Sequence, residues 1–361
     1  MVSNRKVSSA SMSAKEERWW TLISTDFSAR ISKKMSSSPQ TPAPRILFTS
    51  LSRKTSLYDF VLEQARAFHP EAEVIGGDSN PDCPGRTRVE EFIETPPLDQ
   101  SSANEFADFC AENGFTHLIP TRDGELSFFA EARDVLLAAG VPVMVSPPDT
   151  VMVCLDKFLF ASKASELGFP AIPTAETPSS LEAERFVVKE RHGSGSRGIH
   201  LGLSAEEAAQ RASGMEAPVF QPYLEGRELS ADLYVDRSGQ TRGVVLRWRD
   251  LVVDGESKVT TTFRKVEWER DLGDLAAGIG LRGHGLVQAI VDEEYQLRVL
   301  ETNARLGGAT PLALSCGLQS IEWFLKESAG QDLETVEPFT FPSGHRLVRD
   351  EEGRDEFSGM E

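Results

Sequence analysis

Three side chains able to do chemistry stand at every second position of one short run, LETNARLGG, residues 300–308. They are the carboxylate Glu301, the carboxamide Asn303 and the guanidinium Arg305, and two glycines follow. In an extended strand alternate residues share a face, so all three point the same way. An acidic turn separates this run from GLVQAIVD, and a hairpin with Glu294 and Tyr295 as its loop sets Gln288 opposite Glu301. Oxygen donors from Gln288, Glu301 and Asn303 then converge. Hard oxygen ligands with a single carboxylate suit magnesium shared with phosphate oxygens, and Arg305 beside them would complement a transferred phosphoryl group. Alone, the same pattern also describes a solvated strand edge with a surface ion pair.

A second run, GSGSRG at residues 193–198, matches the dinucleotide pattern G-x-G-x-x-G letter for letter. That fingerprint needs a helix opening at its last glycine to hold the pyrophosphate. Here IHLGLS follows, which alternates like a strand. The segment therefore reads as the tip of a glycine-rich hairpin, and it lacks the G-K-[ST] ending of a P-loop. Backbone N–H groups at Gly193, Ser194, Gly195, Ser196 and Gly198 can still converge on a phosphate, because small residues leave them unobstructed. Lys189, at the end of the preceding strand, adds a point charge nearby. A plain surface turn is the competing reading.

Elements of two kinds must position these groups. From residue 45, strands and helices alternate: RILFTS, a helix over 57–68, AEVIGGD, a helix over 103–113, THLIPT, a helix over 125–139, then VPVMVS. This predicts an α/β domain with a parallel sheet over 45–150. After SPPDT a helix carries Asp156 and Lys157, and the later strands read as antiparallel: RFVVKE, GIHLGLS, PVFQPYLEG, ELSADLYVD, TRGVVLRWRD, GLVQAIVD and QLRVLETN. Helices are expected at SAEEAAQRAS and over 272–280. An α+β domain over 151–340 follows, with a glycine-rich lid over about 170–222. Residues 1–44 are rich in Ser, Lys, Arg and Pro and read as a disordered extension, with Met35 an alternative start; 341–361 read as a frayed polar acidic tail.

Composition narrows the partners. The chain has 361 residues, 40 % of them hydrophobic, enough for two or three domains with cores. A formal net charge of −18 argues against nucleic acid or an anionic membrane as the main partner. Cys83, Cys110, Cys154 and Cys316 are scattered, with no Cys-x-x-Cys pair and no His at metal-ligand spacing, so neither a zinc site nor a disulfide framework is indicated. No apolar run reaches the roughly 18 residues of a membrane span, and the N-terminus has no signal-peptide core. A soluble cytoplasmic protein is expected.

The order of the motifs carries more than any one of them. Lys157 comes first, then Lys189 and the glycine hairpin, then QPYLEGRELSADLYVD, then Gln288 and the Glu301–Asn303–Arg305 strand. Over roughly 45–335 this resembles the ATP-grasp superfamily, in particular one ATP-binding unit of carbamoyl-phosphate synthase large chains and single-unit relatives that join carboxylates to amines. The resemblance implies a Rossmann-like pre-ATP-grasp domain before an ATP-grasp domain, with ATP and Mg²⁺, or Mn²⁺, as cofactors. It implies that Lys157 and Lys189 contact the ATP phosphates and that residues 193–198 form the lid loop over them. Tyr223 and Leu224 would hold the adenine edge through their backbone, and Glu228 the ribose hydroxyls. Gln288, Glu301 and Asn303 match the metal ligands, and Arg305 the residue facing the transferred phosphoryl group. Relatives often begin the adenine hinge with glutamate; this chain has Gln221 and Pro222 there.

The resemblance further implies an ATP-dependent ligase that turns a small-molecule carboxylate into an acyl phosphate and couples it to an amine. Such a reaction relies on positioning and charge neutralisation, so the lack of a Ser-His-Asp or Cys-His set is no objection. RWRD and GESK offer Arg247, Arg249 and Lys258 for the substrate carboxylate, with Arg247 and Lys258 the candidates taken forward. PTRDGELSFF puts Arg122, Asp123 and Glu125 at the C-terminal end of a parallel strand, the ligand edge of such sheets, where Asp123 also serves as a helix cap. A catalytically silent ATP-binding or regulatory protein, a carboxylase acting through carboxyphosphate, and a nicotinamide oxidoreductase are the alternatives, and a homodimer is left open.

Overall fold

The computed structural model describes residues 42–193, 195, 198–333 and 339–359. The disorder expected for 1–44 falls outside these but for its last three residues, and Ser194 and Ser196 also lie outside them. Residues 43–361 form one compact unit.

The first sheet is fully parallel, in the order β3–β2–β1–β4, with β1 Arg45–Phe48, β2 Glu73–Asp78, β3 Phe92–Glu94 and β4 His117–Ile119. Buried Ile46, Leu47 and Phe48 give β1 the continuous apolar run of a strand covered on both faces. The covering helices are α1 Thr55–Phe68, α2 Ala103–Glu112 and α3 Asp123–Ala138. Ser102 and Glu105 close a reciprocal capping box at the start of α2, as Ser-x-x-Glu spacing dictates. One expected strand is missing: VPVMVS makes a single parallel bridge, Leu118 to Val143. Pro142 has no N–H to give and the Val141 N–H turns back to Leu136, so no ladder propagates.

Helices α4 Pro148–Leu155 and α5 Lys157–Glu166 lead to a small antiparallel sheet, β6–β5–β7, built from β5 Phe186–Glu190, β6 His200–Leu203 and β7 Pro218–Pro222. Helix α6 Ala205–Ala212 packs on it, and Phe186, Val188, Ala208 and Phe220 give this small sheet its own core. The larger sheet runs β12–β11–β8–β9–β10–β13–β14 and is antiparallel throughout: β8 Gly226–Val235, β9 Thr241–Val253, β10 Glu256–Phe263, β11 Gly283–Asp292, β12 Leu297–Asn303. Helix α7 Val266–Gly278 covers one face. A Cβ on its Gly273 would sit 3.3 Å from Val244, and Val244 pairs with Leu233, so Leu229, Ala231 and Leu233 face the helix. Glu228, Ser230 and Asp232 must then occupy the opposite face.

The C-terminal tail does not fray as expected. Strands β13 Arg346–Arg349 and β14 Asp355–Ser358 extend the large sheet beyond β10. Leu347 is fully buried and Arg349 Nε donates to a buried Asp355 carboxylate at 2.7 Å, so this polar, acidic stretch has an apolar and ionic anchor. Helices α8 Thr310–Ser315 and α9 Ser320–Ser328 lie between β12 and β13.

Candidate active site

The register of the large sheet assembles the site. Glu301 pairs with Gln288, Gln288 with Ser230, Ser230 with Arg247 and Arg247 with Thr262, so five residues on five strands form one row. Directly paired residues share a face. The next row along contains Asn303, Leu286 and Asp232. The face that avoids α7 is thus lined by the carboxylate, carboxamides and guanidinium that the sequence placed there two strands at a time.

The Gln288–Glu301 pairing is reached by a different path from the expected two-residue loop. The turn holds three residues, with Tyr295 at φ 61 and its N–H bonded to the Asp292 carbonyl. A three-residue loop would offset every pair by one. A bulge in β12, between the Gln288–Glu301 and Ala289–Val299 pairs, restores the offset. Leu300 is the extra residue, and its insertion turns Glu301 and Asn303 to the site side while Thr302 stays buried; the strand ends at Asn303, so Arg305 follows in the bend beyond it.

Lys189, on β5, is 3 % exposed. Burial pushes its ammonium down to about 8, against the pull of Glu301 and with Lys157 adding repulsion; Glu228 is the other carboxylate within electrostatic reach. Strand β5 thereby brings a buried cation within electrostatic reach of two carboxylates of the large sheet. Lys157 is the first residue of α5, where the helix dipole disfavours a cation. Asp156 caps that helix, accepting from Phe158 and Leu159 N–H, and also receives Arg191 Nε at 2.8 Å. Lys157 Nζ donates to the Gly193 carbonyl at 2.8 Å. The base of the glycine loop is therefore clamped to the start of α5, and a cation sits where a helix N-terminus would otherwise attract an anion. Gly193, Gly195 and Gly198 have φ values of 126, 71 and 67, which only glycine adopts without strain.

At the hinge, Gln221 is buried and its amide donates to Thr174 Oγ1 at 2.8 Å, so the residue replacing a glutamate is used internally. The Tyr223 N–H bonds the Arg185 carbonyl at 2.8 Å, while none of the described residues bonds the Leu224 N–H. Of the two backbone groups expected to face a base edge, Leu224 has the donor to offer. Glu228, expected at a ribose, accepts from Arg249 Nε at 2.9 Å.

Arg247 is nearly inaccessible. Its Nε donates to Asp232 at 2.7 Å and Nη1 lies 3.4 Å from Thr260 Oγ1. Asp232 also accepts from Thr310 Oγ1, and Thr310 Oγ1 accepts from the Gly307 N–H at 2.8 Å. Burial alone would raise the Asp232 pKa, but Arg247, with His284 and Thr310, outweighs it and holds the carboxyl far below its usual range. His284 bonds Ser320 through Nδ1 at 2.8 Å, and its Nε2 stands 3.5 Å from Asp232, too long for a good hydrogen bond. Lys258 pairs with Glu256 at 2.5 Å, and Glu256 lies against Gly308 and Arg349.

Arg305 crosses to the first domain. Its Nε donates to Asp123 at 2.6 Å and its Nη2 meets the other carboxylate oxygen, a bidentate pair that reaches the start of α3. Asp123 is thus a partner of Arg305 instead of a cap, and Glu125 takes the backbone donors at that helix start: Thr121 N at 2.6 Å and Arg122 N at 2.9 Å. Sequence reading did not single out Asp232, Thr310 or His284. The signal was available, since E-L-S-A-D in β8 puts Glu228, Ser230 and Asp232 at the same every-second spacing as Glu301, Asn303 and Arg305.

Among the described residues no group of three or more His, Cys, Asp or Glu could hold a metal ion alone. The set Gln288, Glu301 and Asn303 has one carboxylate, which fits a hard cation that draws its remaining ligands from water and phosphate and does not fit a closed structural metal site. The sequence matches the family described as "ATP-grasp domain" over residues 154–309 and the one described as "PylC-like, N-terminal domain" over residues 46–144. This chain carries an ATP-grasp domain.

Its ATP-grasp domain and the parallel-sheet domain before it recur together in solved structures. The biotin carboxylase domain dimer of 2-oxoglutarate carboxylase from Hydrogenobacter thermophilus, in complex with MgADP, ADP and bicarbonate, superimposes with a TM-score of 0.68. It is 16 % identical, over 84 % of this chain and 74 % of that one. N5-carboxyaminoimidazole synthetase from Staphylococcus aureus gives 0.62 at 14 % identity, over 85 % and 82 %. L-amino acid ligase from Bacillus licheniformis gives 0.60 at 16 % identity, over 84 % and 78 %. No curated protein matches the sequence. At these identities the likeness is one of fold. No helix among the described residues is long and apolar enough to cross a membrane.

Proposed function

We propose that the chain is an ATP-dependent ligase that phosphorylates a small-molecule carboxylate and couples the acyl phosphate to an amine. The observation that carries this reading is the single sheet face on which Glu301, Gln288 and Asn303 meet, with buried Lys189 within electrostatic reach of Glu301. A buried lysine within electrostatic reach of the carboxylates Glu301 and Glu228 supports a site for phosphate beside that face. A carboxylate oxygen of the acid attacks the γ-phosphorus of ATP and ADP leaves; the amine nitrogen then attacks the acyl carbon, phosphate leaves, and the nitrogen gives up a proton.

Lys157 and Lys189 hold the phosphates, and the glycine loop, clamped at its base by Asp156 and Arg191, covers them against water. The Leu224 N–H takes the base edge and Glu228 the ribose, for which Arg249 must share it. Magnesium, or manganese, held by Gln288, Glu301 and Asn303 would neutralise phosphate charge during transfer. Arg305, oriented by Asp123, faces the transferred group. For the acid's carboxylate Lys258 is the cation, partly exposed beside Glu256, because Arg247 is buried and matched by Asp232 inside the protein.

A second reading, a carboxylase acting through carboxyphosphate, is supported by the bicarbonate bound in the 2-oxoglutarate carboxylase domain of the same fold. Phosphate release that requires bicarbonate and no other acid selects it. For either reading Glu301→Gln should abolish ADP formation while leaving thermal unfolding unchanged; normal turnover in that variant overturns the site. Tight Mg-ATP binding with no ADP formed from any acid and amine would leave the silent ATP-binding alternative standing.

A further inference from the structure

The last strands of the chain reach the acid subsite. Strands β13 and β14 lie beyond the residues that either family covers, yet their hairpin supplies a cation to the Gly308 end of the large sheet. Val348 pairs with Val259 of β10, and the side chain of the next residue, Arg349, is only 8 % exposed. Its Nε and Nη2 donate to the two carboxylate oxygens of Asp355, each at 2.7 Å, and Asp355 is buried. That leaves Nη1, which reaches Glu256 Oε1 at 3.4 Å. Phe357 of β14 meets Phe60 of α1 edge to face with ring centroids 5.6 Å apart, so the hairpin is braced from the first domain as well.

Glu256 is a carboxylate between two cations. Its Oε2 takes Lys258 Nζ at 2.5 Å while Oε1 faces Arg349. Burial raises its carboxyl, but Lys258 and Arg349 outweigh burial and hold it below the usual range, so it is charged at neutral pH. Lys258 is the extra residue of a bulge in β10, between the Ser257–Val252 and Val259–Leu251 pairs, a device that re-aims a side chain out of the ladder. Gly308 completes the arrangement. A Cβ there would stand 3.3 Å from Arg349 Nη1 and 3.5 Å from Glu256 Oε1, so the second glycine of LETNARLGG leaves room for the Arg349–Glu256 pair.

We propose that Arg349 is a positioning residue for the acid subsite, holding Glu256 so that Lys258 can pass to the carboxylate of the substrate acid. This rests on the ligase reading above, with Lys258 as the cation for that carboxylate. An incoming carboxylate competes with Glu256 for one ammonium, and two carboxylates beside a single cation repel each other. Arg349 supplies the second cation. Glu256 then keeps a counter-charge when the acid takes Lys258, and its repulsion of the acid is offset. Without Arg349 the same Glu256 would tie up Lys258 and repel the acid. Asp355 fixes two nitrogens of the guanidinium, which aims the third at Glu256.

The test uses the full chain and the acid and amine pair that releases ADP fastest from Mg-ATP. Arg349→Ala should raise the KM for the acid about 3- to 10-fold, the worth of one partly exposed ion pair. The kcat and the KM for Mg-ATP should stay within about twofold, and Arg349→Lys should recover part of the loss. Arg349→Ala leaves Asp355 buried without its cation, so the double variant Arg349→Ala/Asp355→Ala is measured beside it and should show the same rise. The deciding comparison is made in Glu256→Gln, where no carboxylate competes for Lys258: there Arg349→Ala should leave the acid KM unchanged. A rise as large in Glu256→Gln as in wild type would trace the loss to a loosened hairpin and overturn the proposal. An unchanged acid KM in Arg349→Ala also overturns it, and both results leave the ligase reading intact. If no pair releases ADP, the ligase reading falls and acetate decides the subsite alone. The acetate proton line width, read with the Mg-ADP-loaded chain, should report binding that Lys258→Met abolishes and Arg349→Ala weakens about 3- to 10-fold. Acetate that does not bind wild type, or binds Arg349→Ala equally well, overturns the proposal.

Discussion

Phosphate binding beside Lys189 should draw a proton from solution, in an amount that depends on pH. Burial lowers this lysine from the ordinary 10.5 to about 8. With no nucleotide present it is then about half protonated at pH 8 and about one-tenth protonated at pH 9. Phosphate oxygens placed against it would return its pKa to 10 or more, so Mg-ADP binding should take up about 0.1 proton at pH 7, about 0.5 at pH 8 and about 0.9 at pH 9. Nucleotide phosphates are fully ionised over the upper part of that range and contribute little. Isothermal titration calorimetry in buffers of different ionisation enthalpy reads the number directly. Lys189→Met should remove the uptake, whereas Lys54→Met, which deletes the other lysine that burial lowers to about 8, should leave it. Uptake that does not rise from pH 7 to 9, or that survives Lys189→Met, would refute the placement of Lys189 against phosphate. The same shift has a stability consequence of opposite sense. Because the folded pKa lies below the unfolded one, the nucleotide-free fold is penalised while Lys189 is charged and gains about 3 kcal/mol as pH rises from about 8 to 10.5.

Two further expectations concern the frame around the site. Asp232→Asn leaves the Arg247 guanidinium buried without its counter-charge and should destabilise the fold by about 3–5 kcal/mol in urea titration; a loss below about 1 kcal/mol would mean that water or another anion compensates. Gly226→Ala would drive a Cβ into the Val291 carbonyl oxygen, at the start of the strand that carries Glu228. Because that neighbour is backbone of the paired strand, the change should cost about 1–3 kcal/mol and weaken Mg-ATP binding, checked by thermal unfolding with and without nucleotide; an unaltered melting temperature would show that the hairpin edge yields freely.

Much of this protein is written locally in its sequence. Alternating strand and helix patterns gave the parallel sheet, every-second spacing gave the shared face of Glu301 and Asn303, though the strand ends before Arg305, and the missing helix after GSGSRG separated an antiparallel hairpin from a dinucleotide fingerprint. These follow from periodicity and chain geometry, which neighbouring residues fix among themselves. Long-range decisions were different. The row from Glu301 through Gln288 and Ser230 to Arg247 exists because β8 sits between β11 and β9, an order no local pattern encodes. The three-residue turn and the Leu300 bulge reach the expected pairing by two compensating offsets, and only the packed sheet chooses that combination. A polar tail became the last two strands of the large sheet because Leu347 found a core and Arg349 found Asp355. Partnership shows the same division. The sequence names Arg247, Asp123 and Lys258 as charged groups, but whether a charge is matched inside the protein or left for a ligand depends on what lies within a few ångströms. Tertiary structure gave Arg247 to Asp232 and Asp123 to Arg305, and left Lys258 partly exposed beside Glu256.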